Sequence, residues 1–357
     1  MTVNLPYIQN VMNDPTVDEI LVDGWQHVYV ERDGTLEDIP TPFQNEAELL
    51  GLVQAFAEIL NVPLDETNPI VSLRLPDYTR VEIILPPISV IGPALVIRKE
   101  SPQKIDLADL LRWGALTQPA ADFLKACVQG RVNIAVSGFR GSGKITLLNN
   151  LAGWIPIDER ILILQSEMSD RGLPHPHILS LETRPPNREG KGEVTLSDLL
   201  LGALRMRPDR ILVEELKGAE TSELVYAMNS GHDGCLFTLT SLSPRDTLAR
   251  LEGFVAMGHP ELPLRAIREQ VSSAVDLIVH IEKMRDGSRK VVNITEVTGM
   301  DDGVITLSDI FLYEITGLTA GVIQGSLRPT GIIPRFLDML NGAGIQAPIS
   351  LFTPTNT

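Results

Sequence analysis

Along the first hundred residues, apolar and polar positions alternate with a period of two, interrupted once by a helical pattern. EILVDGWQHVYVERDGTLEDI, from Glu19, reads as short strands turned at Asp23-Gly24 and Asp33-Gly34. NEAELLGLVQAFAEILN, from Asn45, keeps its apolar residues at helical spacing behind a good N-cap. SLRLPDYTRVEIILPP reads as a hairpin closed by Pro86-Pro87, and ALVIRKE as one more strand. SPQKIDLADLLRWGALTQ is polar and broken, the pattern of a linker. From about Pro119 the pattern changes. RVNIAVSG, RILILQS, DRILVEEL, GCLFTLTS and DLIVHIEKM are apolar runs separated by helical stretches, as in a parallel sheet with helices on both faces. After residue 315 the pattern turns irregular, with one short helix expected in TGIIPRFLDMLNGAGI. The expected division is an α/β domain over 1–100, a linker over 101–118, a larger α/β domain over 119–315 and a tail over 316–357.

Charge changes this picture in one respect. The 357 residues carry a formal net charge of −16, and so acidic a surface repels nucleic acid. No window approaches the roughly 18 uninterrupted apolar residues of a membrane span, and the first residues lack a signal-peptide pattern. Cys127 and Cys235 form no metal-spaced pair and read as buried free thiols. The expected location is the cytoplasm.

The candidate chemistry begins with GFRGSGKITLLNN, Gly138 to Asn150. Glycines at 138, 141 and 143 let the backbone wrap an anion, with Ser142, Lys144 and the following helix N-terminus aimed at it. An apolar strand precedes the loop and a helical stretch follows it, the context a phosphate loop requires. The alternative is a tight glycine turn around nothing. Ile145 departs from the pattern, because a Ser or Thr there would give its oxygen to Mg²⁺. Thr146 is one residue on, about 100° around the helix, and its hydroxyl reaches a different phosphate oxygen. This predicts ATP binding through Gly138, Gly141, Ser142, Gly143, Lys144, Ile145 and Thr146, with the Mg²⁺ site weakened.

Beyond the loop, LETRPPNREGKGEVTLSDLLLGALRMRPDRILVEELKGAETSELVYAMNSGHDG closely resembles the type II/type IV secretion ATPases, nearest to the CpaF type of Flp (tight-adherence) pilus assembly. SPRDTLARLE, LPLRAIREQVSSAVDLIV and DGSRKVVNITEVTGM continue the likeness downstream, TGIIPRFLDML fits the family tail, and DPTVDEILVDG, SLRLPDYTRV and GPALVIRKE carry it upstream. The resemblance implies a RecA-like P-loop domain behind a smaller α/β domain, in a cytoplasmic hexamer of this chain or of this chain with a paralogue. It also implies ATP closed between domains and force applied to an inner-membrane platform protein, to which the motor is peripheral.

Matched residue by residue, the family's catalytic motifs are only partly present. The Walker B glutamate falls on Glu215, and Glu214 replaces the usual glycine, adding a second carboxylate. The family's Glu-Asp box falls on Gln165 and Ser166 counted from Arg160, or on Ser166 and Glu167 counted back from LETR. In either register the first acid is missing, and Glu167 is left as a candidate for the second. The family histidine falls on Thr240 and its following Asn on Leu242. His232 belongs to the separate GHDG motif, as a turn residue or a catalyst. Arg74, Arg80, Arg98, Arg205 and Arg207 fall on positions of arginines that act between domains or in trans, or they pair with the many carboxylates; Leu201 replaces another arginine. A general base contributes roughly 10²–10⁴-fold and a trans arginine roughly 10³–10⁵-fold. Two readings follow: an ATPase working with substitute groups, and a non-catalytic subunit that still folds and binds nucleotide.

Overall fold

The computed structural model describes the chain except residues 1–4, 6, 33–34, 61–63, 66, 76, 78, 100–104, 167–172, 174, 188, 320 and 355–357. The expected turn at Asp33-Gly34 and the candidate acid Glu167 lie outside the described residues. The chain divides into two compact units, 1–104 and 105–357.

The first unit contains α1 (Gln9–Asn13), β1 (Glu19–Asp23), β2 (His27–Arg32), β3 (Thr35–Ile39), α2 (Glu46–Leu60), β4 (Ile70–Arg74), β5 (Arg80–Ile84) and β6 (Ala94–Arg98), the strands arising from the period-two segments. The strands make one antiparallel sheet in the order β3-β2-β1-β6-β5-β4. Their alternation places Ile20, Val22, Val28, Val30, Val81, Ile83, Leu95 and Ile97 in a core with Leu49, Leu52, Val53 and Phe56 of α2. The Asn45 side chain caps α2 by accepting from the Glu48 N–H at 3.2 Å.

The second unit contains α3 (Leu107–Arg112), α4 (Gln118–Gln129), β7 (Ile134–Gly138), α5 (Lys144–Ala152), β8 (Ile161–Gln165), β9 (Ile178–Glu182), α6 (Leu196–Ala203) and β10 (Arg210–Leu216). It continues with α7 (Thr221–Asn229), β11 (Leu236–Thr240), α8 (Pro244–Gly258), α9 (Leu264–Ala274), β12 (Leu277–Lys283), β13 (Arg289–Asp301), β14 (Val304–Thr319), β15 (Val322–Pro329) and α10 (Leu337–Gly342). Among the described residues, nine strands form one sheet in the order β15-β14-β13-β12-β7-β11-β10-β8-β9. From β12 to β9 neighbours are parallel, and all but the edge strand β9 are buried on both faces, which is why their sequences are continuous apolar runs. One face packs on α4, α5 and the C-terminal segment, the other on α6 to α9.

Two expectations change. The stretch read as linker contains α3, closed by a reciprocal Asp106–Asp109 capping box, and its Leu110 is buried in the core of the second unit. The sheet is mixed rather than parallel, because β12 to β15 form an antiparallel meander that runs far past residue 315. Glycines 317 and 325 and a register shift between Ile315 and Gly317 disguise those strands. Gly325 is there for close approach: a Cβ would stand 2.7 Å from the Tyr313 ring.

Candidate phosphate-binding site

The site lies at the carboxyl ends of the parallel strands, where open α/β sheets hold ligands. Because β11 sits between β7 and β10, the loop after β7, Thr240 at the end of β11 and Glu215 near the end of β10 converge. Gly138, Gly141 and Gly143 all have positive φ, at 155°, 73° and 95°. A Cβ on Gly138 would stand 2.2 Å from the Ile281 carbonyl oxygen, whereas one on Gly141 would meet none of the described residues within 4 Å. The loop is therefore packed tightly on its inner side and open at Gly141. Ser142 is buried, and among the described residues its Oγ has no hydrogen-bond partner. A concave glycine backbone and an orphaned buried hydroxyl fit an oxyanion such as a phosphate.

Lys144 is buried at the start of α5. Its Nζ donates to the Phe139 carbonyl at 3.2 Å and to Thr240 Oγ1 at 3.3 Å. Thr240 in turn donates to Glu215 Oε1 at 2.9 Å. A single hydroxyl thus links the loop lysine to the carboxylate at the end of the next strand but one. Burial lowers the Lys144 pKa, with Glu215 opposing it. Burial raises that of Glu215, but the Thr240 hydrogen bond and Lys217 outweigh it and hold the carboxyl below its ordinary value. Lys217 Nζ lies 3.3 Å from Glu215 Oε2.

Glu215 has φ of 56°, a left-handed conformation uncommon for a residue with a side chain, at a register shift between β10 and β11. The Thr238 hydroxyl holds this bulge by accepting the Glu215 N–H at 3.0 Å. Two threonines at i and i+2 on β11 therefore fix both the backbone and the carboxylate of Glu215. Strain at a residue so firmly held marks a place where a side chain is aimed deliberately.

The remaining sequence candidates divide by position. Glu214 is buried rather than a solvated strand-end charge. Gln165 is buried at the end of β8, one step beyond the Leu164–Val213 pairing, and Ser166 beside it is exposed. Ile145 and Thr146 are half-buried in the first turn of α5. Ile145 offers no oxygen to a cation, so the donor set for Mg²⁺ does not fit at that position. Leu242 is exposed and its N–H donates to Asp246 Oδ2. His232 is half-buried in the turn before β11, at the amino end of the strands and away from the loop.

The arginines fall into two groups. Arg205 and Arg207 are exposed in the turn from α6 to β10, where Arg160 donates to the Met206 carbonyl, at the amino end of the sheet. Within the chain they are a strand length from Lys144; Leu201 is exposed on α6 just before them. In the first unit, Arg74 pairs in register with Arg80 and Arg80 with Arg98, so three arginines form one cross-strand row. Arg98 also meets Glu19 at 2.9 Å. Like charges directly opposite one another in adjacent strands are destabilising on their own.

Four contributors were missed in the sequence. Lys217 and Thr238 carried a local signal, since each is two residues from a candidate. Arg289, whose Nε donates to the Gly141 carbonyl at 3.0 Å, and His280, whose Nδ1 lies 2.8 Å from the Ser137 hydroxyl, come from the antiparallel meander. Nothing in their own neighbourhoods points to the loop.

Comparison with known proteins fits this geometry. Residues 3–303 match the family model described as type II/IV secretion system protein. The chain belongs to that family. A Mycobacterium tuberculosis protein assigned to conjugal transfer is 35% identical over 289 residues, covering 79% of this chain and 80% of that one. The type IV secretion system protein VirB11 of Brucella abortus is 30% identical over 314 residues, 80% of this chain and 86% of its own. Among solved structures, the pilus retraction motor PilT with bound ADP aligns over 98% of this chain and 89% of its own at a TM-score of 0.59. At 17% identity that match speaks for the fold alone. Among the described residues, no helix of this secretion-family chain is long and apolar enough to cross a membrane.

Proposed function

We propose that this secretion-family protein is a nucleotide-binding motor subunit whose loop holds ATP while hydrolysing it slowly, in an assembly of the CpaF, Flp-pilus kind. The observation that carries this reading is the loop itself: an open glycine cradle, an orphaned Ser142 hydroxyl and a buried lysine, followed by an isoleucine where the metal's oxygen belongs. Gly141, Ser142, Gly143, Lys144 and Thr146 bind the phosphates. ATP supplies a phosphoanhydride bond, and the chain's own residues decide whether water reaches it. Glu215, ionised and fixed by Thr238 and Thr240, is the carboxylate best placed to orient that water. Gln165 cannot accept a proton as a carboxylate would, and Thr240 supplies a hydroxyl where the family has an imidazole.

Arg74, Arg80 and Arg98 on one row, together with Arg205 and Arg207, suit contacts to nucleotide across domains or from a neighbouring subunit of a hexamer. The motor then acts through an inner-membrane platform protein, peripheral to the membrane. The second reading, a non-catalytic subunit beside an active paralogue, is favoured by the missing oxygen at position 145. The two part on a restored variant, Ile145→Thr with Gln165→Glu and Thr240→His. A slow motor shows measurable turnover before restoration and faster turnover after it. No turnover before and recovery after supports the non-catalytic subunit. Wild-type turnover that restoration leaves unchanged would contradict both.

A further inference from the structure

The first unit presents an apolar surface that its own fold does not use. Five aliphatic side chains stand exposed at one end of its sheet: Ile70, Ile84, Ile88, Val90 and Ile91. Ile70 and Ile84 are cross-strand partners on the face opposite the α2 core. The other three ride on the loop between β5 and β6, where Val90 is 92% exposed and Ile91 66%. Their combined exposed surface is on the order of several hundred Å², the size at which an apolar patch marks a contact rather than an accident.

The loop is held in place. The Ser89 N–H donates to the Leu85 carbonyl at 3.1 Å, and the Gly24 N–H to the Pro93 carbonyl at 3.1 Å. Gly24 is the hinge of the fit, because a Cβ there would stand 2.7 Å from the Ile91 carbonyl oxygen. The backbone thus presents Val90 and Ile91 outward from a pinned turn, so little ordering entropy remains to be lost on binding.

Carboxylates stand along the rim at this end of the sheet. Asp23 lies on the strand position beside Ala94, which itself pairs with Ile84. Glu46 Oε1 lies 3.5 Å from where a Cβ of Gly92 would stand, and Glu82 sits two residues from Ile84 on the same face. All three carboxylates are exposed. His27, opposite Asp23, shares that end, while Arg74, Arg80 and Arg98 stand at the far end of their strands.

We propose that this apolar patch, Ile70, Ile84, Ile88, Val90 and Ile91 within a carboxylate rim, docks a cationic amphipathic helix of a partner protein. Apolar residues at i, i+3, i+4 and i+7 would cover the aliphatic side chains, and flanking Lys or Arg would meet Asp23, Glu46 and Glu82. Cytoplasmic segments of membrane proteins carry that excess of Lys and Arg, so the patch suits such a segment. An anionic bilayer is the poorer occupant, since the rim repels it. The contact is independent of what happens at the phosphate loop and needs no nucleotide.

The test uses the full chain and a labelled helical peptide of about 18 Leu and Lys residues, long enough to carry such an apolar stripe over several turns. Anisotropy titration should give saturable binding that weakens at least about tenfold in Val90→Asp/Ile91→Asp. That double variant is more acidic than wild type, so a merely electrostatic attachment would tighten instead. Asp23→Asn/Glu46→Gln should weaken binding a few-fold and flatten its salt dependence. A Leu/Glu peptide should not bind. Both pairs of side chains are exposed, and an unchanged melting curve checks that the variants fold. The proposal is overturned by equal or tighter binding in Val90→Asp/Ile91→Asp, or by no peptide binding at all. It is equally overturned if the aspartates abolish vesicle binding or self-association while sparing the peptide.

Discussion

Replacing Thr240 with Val removes one hydroxyl and almost no volume, and its consequences can be worked from three distances. Thr240 Oγ1 donates to Glu215 Oε1 at 2.9 Å and accepts from Lys144 Nζ at 3.3 Å. A hydrogen bond to a charged group contributes about 1.5–3 kcal/mol. Glu215 keeps Lys217 at 3.3 Å and Lys144 keeps the Phe139 carbonyl, so the loss falls at the lower end, about 1.5 kcal/mol. The effect on nucleotide binding has the opposite sign. Phosphates that take over Lys144 first break its bond to Thr240, which costs about 1 kcal/mol, so Thr240→Val should bind ADP about fivefold more tightly. The stability arm is a urea melt followed through Trp113 and Trp154 in a Trp25→Phe background, which reports on the second unit. The binding arm is calorimetric titration with ADP. Unchanged stability together with fivefold weaker binding would instead mean that Thr240 itself touches the nucleotide and that its bonds to Lys144 and Glu215 carry no net stability.

The other predictions concern the loop and the buried titrating groups around it. Gly138→Ala should cost about 3 kcal/mol or more, from a positive φ and a Cβ 2.2 Å from the Ile281 carbonyl, while Gly190→Ala, also at positive φ but in open space, should cost about 1; equal costs in the same melt would contradict the packing described for the loop. Ile145→Thr should make ATP binding about tenfold tighter with Mg²⁺ than with EDTA, one charge-assisted contact, where wild type shows little difference; a titration in which the two proteins respond alike to the metal rules this out. Burial above all, with some repulsion from Lys144, pushes the His280 ring down to about 4 against the pull of Leu242 and Asp246. A base lowered in this way stabilises the fold fully above pH 6.5 and loses up to about 3 kcal/mol as pH falls towards 4. Asp276, raised to about 6 chiefly by burial, acts in the opposite sense, losing a similar amount as pH rises from 3.8 to 6. Relative to wild type, His280→Gln should therefore gain stability at pH 4 and Asp276→Asn should lose it there; urea melts at pH 4 and pH 6.5 that move both variants the same way would show the assignment to be wrong.

How much of this was legible in the sequence depended on how local the cause was. The glycine loop, its flanking strand and helix, and the buried parallel strands were readable because each is encoded within a dozen residues. The alternation that builds the first unit was equally local, and it fixed which face of β4, β5 and β6 would point away from α2. That Arg74, Arg80 and Arg98 share a row was not readable, since it depends on the registers of two strand pairs. β15 escaped notice because its glycines, needed for close strand approach, look like loop residues. The role of Thr240 was hidden for a different reason: against the family pattern it reads as a loss, and only the fold brings its hydroxyl between Lys144 and Glu215. Arg289 reaches Gly141 across 148 positions of sequence, a distance over which no pattern argument extends.

The central claim is that the loop binds nucleotide and barely turns it over. Its most direct test is ATP titration and phosphate release measured on one preparation with Mg²⁺, beside Lys144→Ala. The account predicts saturable binding that Lys144→Ala abolishes, with phosphate release at or barely above that of the variant. Rapid release that disappears in Lys144→Ala would contradict it and show that Glu215 and its two threonines suffice for hydrolysis.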